Sequence, residues 1–179
     1  MRISIQSTWD GGAARPEERA VLDLVREPGH WVLELEAAFH DDPAPPGPAG
    51  PTPELWQYEV VELFLLAPPD HYLEVELGPH GHHLVLELRG VRQVVRDELS
   101  IDFRAEIDGA RWRGRARIPD ALVPPDIARL NAFAIHGQRE RRRHLAFVPV
   151  PGPAPDFHRL ERYPELAPEL LKHHFARQG

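Results

Sequence analysis

Apolar and polar positions alternate with a period close to two through most of the chain, the pattern of half-buried β-strands. Trp31, Leu33 and Leu35 alternate with Val32, Glu34 and Glu36, and Leu73, Val75 and Leu77 with Tyr72, Glu74 and Glu76. Leu84, Leu86 and Leu88 stand in the same relation to His83, Val85 and Glu87, as do Ile101, Phe103, Ala105 and Ile107 to Asp102, Arg104 and Glu106. A further strand is expected over residues 60–66. Short strands separated by Gly and Pro turns, about every 8–12 residues, predict an all-β, antiparallel β-sandwich. Only residues 165–176 read as a short C-terminal helix, with Leu166, Leu170, Leu171 and Phe175 on one apolar stripe.

Two hairpins can be registered from their turns. A four-residue turn, Gly78-Pro79-His80-Gly81, sets Val75 against Leu84 and Leu73 against Leu86 on the core face. Glu76 then meets His83, and Tyr72 meets Glu87, on the other face. In Asp108-Gly109-Ala110-Arg111, Gly109 takes the position of a type II′ turn that needs positive φ. Ile107 then lies opposite Trp112 and Phe103 opposite Ala116 inside. Outside, Glu106 faces Arg113 and Asp102 faces Arg117. Arg115, beside Arg104, is left unpaired.

Composition narrows the class. The chain has 179 residues, 28 acidic against 21 basic side chains for a net charge of −7, 20 prolines, 11 histidines and no cysteine. Such a length suits a single domain spanning 1–179. Without cysteine there is no disulfide framework, thiolate metal site or cysteine nucleophile. No apolar run reaches the roughly 18 residues of a membrane span, and the first ten residues have no signal-peptide core, so a cytoplasmic protein is expected. Six prolines fall within residues 43–53 and four more at Pro149, Pro151, Pro153 and Pro155. Because proline cannot donate to a sheet ladder, both stretches are expected as ordered surface connectors. The arginine-rich spots, Arg111/Arg113/Arg115/Arg117 and residues 139–143, lack interleaved aromatics in an acidic chain, so no nucleic-acid partner is expected.

The candidate chemistry lies in histidines and carboxylates. His80, His82 and His83 crowd one turn near Glu76, which makes Glu76, His80 and His83 an alternative metal set, with His136 and His158 as further members if the fold brings them in. Since His82 and His83 are adjacent on a strand, they point to opposite faces, and a polar turn with a cross-strand Glu–His pair is the simpler reading. Glu74, Glu76 and Glu87 share the non-core face of the first hairpin. Glu62, on the preceding strand, joins them or not according to register, because a one-residue slip changes its face. A face of four acids and Tyr72 suits sugar hydroxyls or a cation, and paired carboxylates also serve glycoside hydrolysis when one has a raised pKa.

Ordered motifs then point to a family. Leu55-Trp56-Gln57-Tyr58-Glu59-Val60-Val61-Glu62-Leu63-Phe64, followed by Tyr72-Leu73-Glu74-Val75-Glu76-Leu77-Gly78-Pro79-His80-Gly81, resembles the W-x-x-D/E-x-V-E-x-F … Y-x-E-x-E-x-x-P-x-G pattern of family 9 carbohydrate-binding modules, part of the DOMON-like group. Arg129-Leu130-Asn131-Ala132-Phe133 looks like that group's R-x-N-F segment, and Pro155-Asp156-Phe157-His158 like its closing P-D-F-H motif. Thr8-Trp9-Asp10-Gly11 and Phe133-Ala134-Ile135-His136-Gly137 are similar to a small uncharacterised family of stand-alone proteins from bacteria and vertebrates.

The resemblance implies a jelly-roll-like sandwich and non-catalytic binding of a carbohydrate or similar polyhydroxylated small ligand. Trp56 and Glu62 match the family's Trp and the Glu six residues later, Asn131 its ligand-binding amide, and Trp9 is a second ring. Tyr72 and Glu74 complete the expected ligand-binding set, and the resemblance also admits a structural calcium ion among the acids. Each residue has a plainer role open to it: Trp56 as a core anchor, Tyr72 with Glu62 as a buried hydrogen-bonded pair, Asn131 as a backbone-bonding side chain at a turn or bulge. The alternative functions are a metal-assisted enzyme built on the His/Glu set and a protein-interaction module that uses the proline loops.

Overall fold

The computed structural model describes residues 1–97 and 99–168. Among them run twelve strands: β1 (Arg2–Ile5), β2 (Ser7–Thr8), β3 (Ala20–Glu27), β4 (His30–Ala38), β5 (Val60–Ala67), β6 (His71–Leu77), β7 (His83–Arg89), β8 (Val94–Arg96), β9 (Asp102–Asp108), β10 (Arg111–Pro119), β11 (Arg129–His136) and β12 (Arg143–Ala146). They form two antiparallel sheets, one in the order β1-β3-β4-β10-β9 and one in the order β2-β12-β11-β5-β6-β7-β8. This is the expected antiparallel β-sandwich. Of the expected C-terminal helix, Glu165 instead pairs with Arg129 in an isolated bridge and the Leu166 amide donates to the Ala128 carbonyl. The rest of that helix, from residue 169, lies outside the described residues.

Two apolar layers hold the fold. Between the sheets, Leu22, Leu24, Trp31, Leu33 and Trp112 meet Leu63, Leu65, Leu73, Val75 and Val85 in one buried cluster. On the outer face of the seven-stranded sheet, Phe64, Leu66, Tyr72, Leu84, Leu86 and Phe133 form a second cluster with Val150, Phe157 and Tyr163 of the chain that follows β12. Phe157 stacks on Phe133 with ring centroids 3.9 Å apart, and the Tyr163 hydroxyl donates to the Phe157 carbonyl at 2.7 Å. Each such side chain contributes about 1.5–3 kcal/mol by leaving water. Strand β5, Val60–Ala67, is therefore buried at every position, and its sequence reads as a nearly continuous apolar run interrupted only by Glu62.

The two hairpins behave differently. In β9–β10 the pairing is as expected, with Ile107 opposite Trp112, Phe103 opposite Ala116 and Glu106 opposite Arg113. The ion pairs, however, form with β4: Arg111 and Arg113 share Glu36, and Arg115, expected unpaired, meets Glu34 at 3.2 Å. Ile107, expected inside, is exposed near the end of its strand. In β6–β7 the register is one residue off the expectation. The Gly78 amide donates to the His82 carbonyl, the loop spans residues 78–82, and Val75 pairs with Val85. Leu84, Leu86 and Leu88 therefore leave the intersheet core for the outer face, and Glu87 moves to the opposite face from Glu74 and Glu76. Because both faces of this hairpin are buried, apolar alternation could not choose between the two registers.

Both proline stretches follow the surface while bonded to the sheets. In the first, the Thr52 amide donates to the His83 carbonyl and the Thr52 hydroxyl meets His82 Nδ1 at 2.8 Å. In the second, the Val150 amide donates to the Trp9 carbonyl, and Arg159 donates to the Pro151 carbonyl.

Candidate functional site

In the middle of the outer face three glutamates stand side by side. Glu62 of β5 pairs across the ladder with Glu76 of β6, and Glu74 lies two residues along β6, opposite Phe64. On the far sides, Leu84 and Leu86 of β7 adjoin Glu76 and Glu74, while Phe133 of β11 adjoins Glu62. The register thus sets all three acids among apolar neighbours, and all three are buried. The proline-rich chain between β4 and β5 and the segment after β12 cover this face from two sides, leaving a cleft of about 360 Å³ between them. Glu62, Glu74 and Trp56 line the cleft together with His144, Phe157 and His158. Leu86, Leu88, Val94 and Arg92 close its end toward the sheet edge.

Trp56 sits on a single 3-10 turn, Leu55–Gln57, entered through Glu54 in the left-handed region at φ 56°. Leu55 is fully buried in the outer cluster and anchors the turn. Arg142 anchors it from below by donating to the Trp56 carbonyl and, at 2.8 Å, to the Gln57 carbonyl. The backbone is thereby held while the indole stays 41% exposed at the cleft. The fixed backbone thus presents a half-exposed ring face at the cleft, a position that excludes the role of core anchor.

Burial dominates the electrostatics. It pushes the Glu74 carboxyl up to about 7, against the easing influence first of the neighbouring Glu76 carboxyl, a donor when protonated, and then of Arg92. Glu62 and Glu76 are raised well above the usual carboxylate range, first by burial and then by the neighbouring acids. Glu74 Oε2 and both Glu76 oxygens have no hydrogen-bond partner. Beside them a relay is fixed in direction. The Arg92 amide donates to the Tyr72 hydroxyl at 3.0 Å, so the hydroxyl proton goes to His158 Nδ1, 2.7 Å away. Nε2 then carries the ring proton and faces Glu74 Oε2 at 4.0 Å, too far for a direct hydrogen bond. Burial pulls His158 down to about 4, so the ring is neutral at pH 7 and presents a donor, not a charge. The cleft therefore offers an aromatic face, carboxyl groups able to accept or donate, and a neutral N–H.

Of the residues singled out in the sequence, Trp56, Glu62 and Glu74 converge on this cleft. Tyr72 is fully buried below it and acts on it through His158, not through Glu62. Asn131 does not line the cleft. Its amide donates to the Val148 carbonyl at 2.9 Å, and its oxygen accepts from the Ala132 and Val148 amides, which splices β11 to the chain just past the end of β12. Trp9 packs partly buried against the outer cluster, also away from the cleft lining.

The alternative metal set is dispersed. Glu76 lies with the other acids, His80 is exposed beside Phe39, and His83 faces Phe103. His136 stacks on His40 with centroids 3.6 Å apart and lies 3.5 Å from Glu18, and His158 alone reaches the cleft. Among the described residues no three His, Asp or Glu side chains group as a metal ion would need. Arg92, His144, Leu86, Leu88 and Val94 of the cleft were not singled out. Phe157 and His158 had a signal in the P-D-F-H motif.

No protein-family model matches the chain. UPF0462 protein C4orf33 homolog of Mus musculus is 45% identical over 171 residues, covering 91% of this chain and 89% of its own length. Among solved structures, that of a candidate carbohydrate-binding protein from Bacteroides uniformis superposes with a TM-score of 0.70 over 92% of this chain and 84% of that one, at 13% sequence identity. A family 9 carbohydrate-binding module from Caldicellulosiruptor kristjanssonii, in complex with cellotriose, overlaps over 75% of this chain and 68% of that one with a TM-score of 0.48. The Bacteroides likeness is one of fold, and it agrees with the architecture expected from the motifs.

Proposed function

Since the chain belongs to the UPF0462 family of C4orf33 proteins, whose name records no activity, we propose its function from the cleft: non-catalytic, reversible binding of a carbohydrate or similar polyhydroxylated small molecule. The observation that carries this reading is the half-exposed Trp56 indole held over a cleft whose floor presents Glu62 and the unpartnered Glu74 Oε2. A pyranose has an apolar C–H face for the ring and a rim of hydroxyls for the acids. A protonated Glu donates to one hydroxyl oxygen while its carbonyl oxygen accepts from another, and His158 Nε2–H adds a donor beside them. Burial of the acids then has a use, since hydroxyls fill hydrogen-bonding capacity that the fold leaves open.

The carbohydrate-binding description of the Bacteroides neighbour supports the reading through shared architecture. Isothermal titration of the full chain against a panel of mono- and disaccharides tests it. Saturable heat with at least one sugar is the expected result. Absence of heat at millimolar sugar, with protein that remains folded by circular dichroism, overturns it.

A further inference from the structure

Three carboxyl groups in one buried patch need either protons or compensating positive charge. The nearby cations are committed elsewhere: Arg142 hydrogen-bonds the carbonyls of Trp56, Gln57 and Gly137, and Arg92 pairs with Asp156 at 2.8 Å. Neither hydrogen-bonds any of the three acids. Glu74 is 4% exposed, lines the cleft, and leaves Oε2 without a partner. Full ionisation of the patch therefore leaves a surplus of negative charge aimed into a cavity that has a tryptophan face at its mouth. That pairing of an indole with buried carboxylates is a recognition geometry for ammonium groups, in which the ring quadrupole and the carboxylates act together. The donor set does not favour a bare metal ion, because the acids do not group with a third ligand as a metal would need.

We infer that the cleft selects a positively charged ligand, and that within the carbohydrate class it prefers an amino sugar, with the ammonium against Glu74 and Glu62 and the pyranose against Trp56. This inference rests on the sugar-binding reading of the cleft. It has a proton signature that neutral sugars lack. At pH 7 Glu74, pushed up to about 7 by burial, still holds its proton in part of the molecules, and an ammonium stabilises its anionic form, so binding releases protons to the solvent. The other charged and titratable groups around the acids do not imitate this. His158 is already neutral, Tyr72 is pushed up to about 12 by burial, and burial likewise raises Tyr163 well above the ordinary phenol range. His144, pulled down by burial and then by Arg142, is on the neutral side as well.

The test is calorimetric titration of the full chain at pH 7 with glucosamine, N-acetylglucosamine and glucose, each in two buffers of different ionisation enthalpy. Glucosamine is expected to bind at least about tenfold more tightly than either neutral sugar, as one charge-assisted hydrogen bond would provide. Its heat is expected to depend on the buffer in the sense of net proton release. Glu74→Gln, which keeps the shape of the protonated acid, is expected to bring the glucosamine preference to below about threefold. Equal or tighter binding of glucose, or glucosamine binding without proton release, overturns the inference and leaves the sugar-binding reading standing. No heat from any of the three overturns both. If Glu74→Gln fails to fold, proton release by the unaltered protein decides the matter alone.

Discussion

The two faces of the seven-stranded sheet are equally buried and chemically opposite. On the inner face Leu63, Leu65, Leu73, Val75 and Val85 meet the other sheet, and side chain fills side chain. One residue along the same strands, the outer face alternates Phe64, Tyr72 and Leu86 with Glu62, Glu74 and Glu76. The difference follows from what covers each face. A second sheet is a regular partner that an apolar face can match everywhere, whereas two loops cover their face unevenly and leave a cleft. Depth of burial does not distinguish core from site here. On β5 and β6 the buried polar atoms without partners do, since they lie on the loop-covered face at Glu74 and Glu76, whereas on β7 and β11 the inner face carries them as well, at His83 and His136.

Substitutions should separate the faces. The largest change is expected at Leu63, where Leu63→Ala removes a fully buried side chain between two sheets and costs about 3 kcal/mol of stability by denaturant titration. Sugar binding by the folded fraction should be unchanged. A loss under about 1 kcal/mol would mean that the intersheet core is no tighter than the outer layer. Asn131→Ala is next, with an expected cost of about 2 kcal/mol, because the Val148 amide and carbonyl and the Ala132 amide all lose their partner. It too should leave affinity unaltered. A clear loss of sugar affinity with unchanged stability would give Asn131 the ligand role implied by the motif resemblance.

Glu76→Leu should have the opposite sign, since it makes the outer face resemble the inner one. At pH 8 the variant is expected to be more stable than the unaltered protein by on the order of 1 kcal/mol. The pH dependence follows from the direction of the shifts. Glu62, Glu74 and Glu76 are raised in the folded state, so they favour folding at low pH and lose that contribution as pH climbs past the ordinary carboxylate range toward and beyond about 7. Glu59, pushed to about 7 by burial, acts in the same direction. His136 and His158, lowered to about 4, favour folding above 6.5 and lose it as pH falls through 4. The histidines lowered by burial, His40, His82, His83 and His144 among them, are still gaining stability just above pH 6.5 as the unfolded chain loses its protons, so the acids are read from the difference between variants: from pH 6.5 to 8 the profile of Glu76→Leu should rise relative to that of the unaltered protein. Parallel profiles for the two would mean that Glu76 is solvated and not buried.

How much of this could be read in the sequence also divides by face. The β9–β10 register was legible because one side is solvated, so alternation and the Gly109 turn, at φ 59°, agreed on a single pairing. The β6–β7 register was not, because leucines at 84, 86 and 88 and the valine at 85 are all buried, and the turn holds one residue more than its Gly-Pro-His-Gly core suggests. That slip hid Leu86 and Leu88 from the site and assigned Glu87 to it. Trp56, Glu62 and Glu74 were legible as a set because their motif fixes spacing along strands that pair directly. Arg92 was not, since it enters from a turn, at φ 58°, that carries no apolar period. Asn131 was legible through its R-x-N-F segment, but the motif does not show that the bonds this one asparagine makes in the fold are to backbone.

The smallest effect on stability is expected at Trp56, and it gives the sharpest test of the contrast between the faces. The indole is 41% exposed, while Leu55 and the bonds from Arg142 hold its turn through groups that Trp56→Ala does not alter. The variant should therefore unfold within about 0.5 kcal/mol of the unaltered protein. Its affinity for any sugar that binds should nevertheless fall at least about tenfold, because the ring face is gone. Stability and binding would then be carried by different residues, the inner leucines of the sheet for the first and the tryptophan on the 3-10 turn at the cleft for the second. If Trp56→Ala instead unfolds the protein by several kcal/mol, the ring is packed and the outer face is a second core.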